Sequence, residues 1–219
     1  FGSLTGVTVS DETLDGSKLA DAIDQANLAT EDTSVVFTIS DAVTIEGSEA
    51  NFTALLTDDD NSQIDIDTQN LSVSGTISVE NANLLDVATE GTITASIDTD
   101  ETVETLKTLT GTTHAYTIVI AAGDAETTTA ADLNTINGKT TGTIDASAIT
   151  VLASDNITNI QTLLTAGNDT DQFEAASFGS LTGVTVSDET LDGSKLADAI
   201  DQANLATEDT SVVFTISDA

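Results

Sequence analysis

Residues 1 to 42 recur without a single change as residues 178 to 219, an offset of 178 − 1 = 177. Any fold lets its exposed polar positions drift, so identity across so long a stretch marks a recently duplicated tandem unit rather than two old domains. The expected organisation is one full period, residues 1–177, followed by the start of the next identical period, residues 178–219. On that reading the chain is a window on a longer array.

A shorter alternation runs inside the long period. Apolar residues spaced three and four apart predict helices over 17–28, 48–57, 80–90, 100–109, 130–137 and 155–166. Candidate caps mark several of them: Asp98 with Glu101, and Thr129 with Asp132, stand at N-cap and third-residue spacing, while Gly91, Gly111, Gly138 and Gly167 follow helix ends. Strict alternation of apolar residues with Thr, Ser or Asp predicts strands over 35–40, 64–67, 93–97, 116–121 and 144–148, with a weaker sixth near Phe173 or over 181–186. Further strand-like pieces lie at 43–45, 71–79 and 149–151.

Counted from strand to strand, these pieces form coils at 34–62, 63–91, 92–114, 115–142, 143–170 and 171–210. A unit of that size cannot bury its own apolar face and must lean on its neighbours. The fold class expected is a repeat solenoid, mainly β with short helices (an α/β-solenoid), with about six strand–helix coils per 177-residue period. The absence of proline agrees, since every interior strand must donate its backbone N–H groups. One or two ordinary α/β domains carry the same alternation of strand and helix and are the alternative.

Charge narrows the partners. Four Lys, no Arg and 38 acids give a net charge of −34, yet Leu, Ile, Val and Phe are about 26% of the chain, enough to build a core. A surface this acidic repels phosphate backbones and anionic lipid and lacks basic patches, which argues against nucleic acid as a partner. No apolar run is long enough for membrane insertion. Cations, and neighbouring identical repeats, are the partners such a chain favours. With no Cys, disulfides and thiolate metal sites are excluded.

Acid clusters are the only groups with metal chemistry in view. Asp58, Asp59, Asp60 and Asn61 lead into Asp65 and Asp67; Asp98 and Asp100 form a second group, and Asn168, Asp169 and Asp171 a third. Hard oxygen ligands at alternating loop positions suit Ca²⁺, so the candidate ligands are Asp58, Asp60, Asp65, Asp67, Asp98, Asp100, Asp169 and Asp171. Solvated turn acids are the competing reading. The EF-hand pattern fails, because Gln63 stands where Gly is needed and Gln69 where Glu is needed. His114, the lone imidazole, is expected at the surface or in a turn, and the lysines beside local acids. No catalytic or cofactor-binding residue is predicted: Arg and Trp are absent, and no phosphate loop, nucleophile elbow or metalloprotease helix occurs.

The stretches Thr129–Ser147 and Asn83–Ala95, rich in Thr and Asp, resemble the tandem repeats of very large cell-surface or secreted proteins of marine bacteria, picocyanobacteria in particular. The likeness covers roughly residues 76 to 166 and is one of composition. It implies an extracellular or cell-surface location and a structural or adhesive role. The expected function is therefore a structural repeat segment of a large filament or adhesin-like protein, forming a stacked rod without catalysis. The alternative is the binding shaft of an adhesin or phage fibre that recognises a glycan or cell surface.

Overall fold

The computed structural model of the chain describes residues 5–30, 35–41, 43–188, 190–207 and 212–217. They gather into two units, Phe1–Ser96 and Ile97–Ala219.

The first unit contains β1 (Gly6–Val9), β2 (Thr13–Asp15), α1 (Gly16–Thr30), β3 (Val36–Ile39), β4 (Thr44–Ser48), α2 (Glu49–Asp60), β5 (Asn70–Ile77), α3 (Val79–Ala88) and all but the last residue of β6 (Ile93–Ile97). Strand β1 pairs with β3 in parallel, and β2, β4, β5 and β6 lie side by side in that order. The β2–β4 and β4–β5 pairings are parallel, with Leu14 opposite Ile45 and Ile45 opposite Leu71. Those three side chains are buried, together with Phe52 and Leu55 of α2, Ile77 of β5 and Leu85 of α3.

Helix α2 begins where it does because Ser48 and Asn51 close a reciprocal capping box, and it ends at Asn61, followed by Ser62 at φ +59°. Ser78 caps α3 by accepting from Asn81 N through its side chain. The Glu49 carboxylate from the start of α2 reaches this second helix start, accepting from Asn81 Nδ2 at 2.7 Å and Ser78 N at 3.1 Å. Those bonds, the Asn81 amide first, hold the Glu49 carboxyl below its ordinary range.

The second unit holds α4 (Val103–Leu106), β7 (Ala115–Val119), α5 (Ala130–Asn137), β8 (Ile144–Asp145), β9 (Val151–Asp155), α6 (Ile157–Gly167), β10 (Gly183–Val186), α7 (Gly193–Thr207) and β11 (Val213–Ile216), with a 3-10 turn at Ala122–Asp124. Strands β7 and β8 pair in parallel, as do β9, β10 and β11, with β10 in the middle. Its core is built on Tyr116, Ile118, Leu133, Ile144, Phe173 and Phe178, and the two phenylalanine rings lie 5.3 Å apart. Here too acids from other segments sit on helix starts: Asp124 accepts from Val103 N, Asp155 from Ala131 N and Asp188 from Ile157 N. An anionic oxygen is favoured there by unpaired amides and by the helix dipole.

A threonine two residues before a glycine recurs as a clamp. Thr89 Oγ1 donates to Gln69 O at 2.6 Å and accepts from Gly91 N; Thr140 Oγ1 donates to Tyr116 O at 2.7 Å and accepts from Gly142 N. A Cβ at either glycine would run into the same carbonyl its clamp holds, Gln69 O for Gly91 and Tyr116 O for Gly142, so only glycine lets the backbones meet this closely.

This is α/β architecture, parallel sheets with helices, and it corrects the expectation of a repeat solenoid with six strand–helix coils. The coils are not equivalent. Residues 64–67 form no strand, β8 has two residues, Phe173 contributes a single bridge to Ile144, and the helix expected over 100–109 is the one-turn α4. Meanwhile 43–45 and 71–79, read as accessory, largely coincide with the substantial strands β4 and β5, whereas 149–151 meets β9 only at Val151. The alternation that suggested coils arises equally when strands and helices gather into ordinary α/β layers. The coil boundaries at 34 and 210 fall outside the described residues.

Candidate functional site

The carboxylates of Asp59, Asp65 and Asp67 converge so that one oxygen from each lies within 4.8 Å of the others. Three local features bring them together. Asp59 sits in the last turn of α2; the left-handed Ser62 then reverses the chain, with Ser62 N donating to Asp59 O and Gln63 N to Asp58 O. The following loop folds on its own acids: Asp59 Oδ1 accepts from Ile66 N at 3.2 Å and Asp65 Oδ1 from Asp67 N at 3.0 Å. Buried Gln69 anchors the far side, accepting from Val43 N through Oε1 at 2.8 Å.

The triad opens on a cleft of about 490 Å³ whose lining includes Phe37, Ile39 and Gln69. Burial pushes the Asp59 carboxyl above its ordinary range against the opposing Ile66 bond, and Asp67, Asp65 and Asp60 push it further. A cluster of hard oxygens whose own repulsion resists ionisation is chemically suited to a divalent cation such as Ca²⁺.

Of the eight predicted ligands, then, only Asp65 and Asp67 belong to the triad. Asp58 and Asp60 flank Asp59 on α2, and successive helical residues point about 100° apart, so one residue of the three faces the loop. Asp58 is instead half-buried, its carboxyl raised by burial and then by Asp24. Asp98 and Asp100 lie in the turn after β6, where Asp98 O accepts from Glu101 N, and join no acidic triad among the described residues. Asp169 closes its own turn, accepting from Gln172 Nε2 at 2.7 Å and from Asp171 N at 3.0 Å, which lowers its carboxyl pKa. Asp171 supplies that amide and lies exposed. Asp59 itself was legible only as part of an acidic run, because the turn at Ser62 selects it.

His114 departs from expectation: it is 3% exposed, with its ring 5.5 Å from that of Tyr116. The lysines behave as anticipated at Lys18, which meets Asp15 at 3.2 Å, and at Lys107, which bridges Glu104 at 2.6 Å and Asp132 at 2.7 Å. Lys195, the repeat counterpart of Lys18, donates instead to Thr158 Oγ1. Among the described residues no helix is long and apolar enough to cross a membrane.

No family model, curated protein or solved structure matches this chain.

Proposed function

We propose that the chain is a structural repeat segment of a large extracellular or cell-surface protein of the adhesin-like kind, acting as a spacer without catalysis of its own. The observation that carries this reading is the unchanged 42-residue tandem copy. An enzyme or receptor gains nothing from reproducing exposed polar positions, whereas a protein whose product is length is lengthened by whole units. The net charge of −34 on 219 residues supports the location: a salty medium screens such a surface, and the charge keeps a concentrated array soluble. Aromatic residues are only 3% of the chain, few for stacking sugar rings, which favours a spacer over a glycan-reading shaft.

The test is location. An antibody raised against this chain should decorate intact cells, or the medium, of the organism that produces it. Labelling that appears only after the cells are broken open overturns the proposal.

A further inference from the structure

The duplicated segment is seen in two different surroundings, and each leaves open what the other covers. In the first copy, α1 packs against α2 and β4, while Leu19, Ile23 and Phe37 are buried. Their counterparts at +177, Leu196, Ile200 and Phe214, are only half-buried. The second copy is covered on its other face: β10 pairs with β9 and α7 packs against α6, which buries Val184, Ala199 and Ala203. The counterparts of these, Val7, Ala22 and Ala26, are half-buried, exposed and half-buried.

Polar contacts divide the same way. Asp188 caps α6 by accepting from Ile157 N at 2.6 Å, while its counterpart Asp11 stands exposed. Gln63 Nε2 donates to Asn27 Oδ1 at 2.8 Å, while the counterpart Asn204 is exposed. Even the secondary structure follows its neighbour. β2 exists as a strand against β4, and residues 190–192, identical in sequence to it, are not strand.

Because the two copies are the same 42 residues, a surface that fits one fits the other. We infer that the open face of residues 178–219, formed by Leu196, Ile200 and Phe214, docks residues 43–77 of a second copy, in the arrangement that residues 1–42 already make with their own. The open face of residues 1–42, with Val7 and Ala22, is the other side of the same joint and takes β9 and α6 of a further copy. The contact is heterologous and head to tail, using two different patches, so it propagates rather than closing on a twofold axis. Its centre is apolar and a parallel strand pairing lines it. It also sets Asp201, the counterpart of Asp24, against Asp58, so that it tightens with salt.

This rests on the tandem reading, and it is tested on the full chain extended by one period, residues 43–219 appended after Ala219 to give 219 + 177 = 396 residues. The chain has no cysteine, so a single Cys reports one position cleanly. Ile200→Cys and Leu196→Cys should react with a maleimide readily in the 219-residue chain and more slowly, by about tenfold or more, in the extended one, approaching the rate of Ile23→Cys. Ala199→Cys should stay protected in both chains and Ala22→Cys reactive in both. Unchanged rates at both 196 and 200, with the two controls behaving as stated, overturn the joint. The labelling rate does not depend on where the parent protein works, so its failure is separate from that of the surface-location test.

Discussion

Replacing Asp59 with Asn should stabilise the protein, although it removes a charged residue from the one place among the described residues where three acids converge. Asp59 lies within 4.8 Å of both Asp65 and Asp67, so one substitution deletes two of the three pairwise repulsions. With Asp65 and Asp67 exposed, a water-like dielectric applies, and each pair at that distance costs roughly 0.9 kcal/mol, about 1.7 kcal/mol together before salt screening. Asn keeps the Oδ1 acceptor for Ile66 N, so no buried amide is orphaned.

In 10 mM salt the melting temperature, followed by circular dichroism, should rise by about 3–6 °C, and by less at 0.5 M NaCl. The pH dependence has a definite sign. Because the folded carboxyl titrates above its ordinary value, its ionised form costs stability above the folded pKa, and that cost disappears as the pH falls through the folded pKa toward the ordinary 3.8. Wild type and variant should therefore diverge at neutral pH and converge in acid. A variant that melts at or below the wild-type temperature at low salt and pH 7 would refute the reasoning.

Millimolar Ca²⁺ should raise the wild-type melting temperature more than Mg²⁺ at matched ionic strength, and should not do so for Asp59→Asn; equal curves for the two ions would remove cation binding at this cluster. Lys107→Met should cost about 1–2 kcal/mol by urea denaturation, since it removes the charge partner of the half-buried Asp132 carboxylate and leaves it only its Thr129 bonds, and a change below 0.3 kcal/mol, roughly the floor for a surface pair, would contradict the bridge. The Asp132 carboxyl, raised by burial but lowered further by Lys107 and Thr129, contributes stability above pH 3.8 that is lost as the pH falls through its depressed pKa; in the Lys107→Met background that loss should be smaller and complete at a higher pH. Gly142→Ala should destabilise by about 3 kcal/mol or more, because its Cβ meets the Tyr116 carbonyl held by Thr140, whereas Gly123→Ala, with open space around it, should be nearly silent.

What the sequence determined by itself was local. The duplication at offset 177 and the helix over 130–137, bounded by its Thr129 capping box, need no information from distant residues, and the strand over 93–97 alternates cleanly enough to be read alone. Tertiary structure decided everything that depends on what lies across a gap. Residues 64–67 alternate Ile with Asp as well as any strand, yet their amides turn onto Asp59 and Asp65 and the loop gathers an acid cluster instead. Among Asp58, Asp59 and Asp60 no pattern of composition distinguishes the residue that faces that loop; the left-handed turn at Ser62 does. The duplicated segment states the limit most sharply. Two identical stretches bury opposite faces, and one forms a strand where the other does not, because burial and strand pairing belong to a residue and its neighbour together.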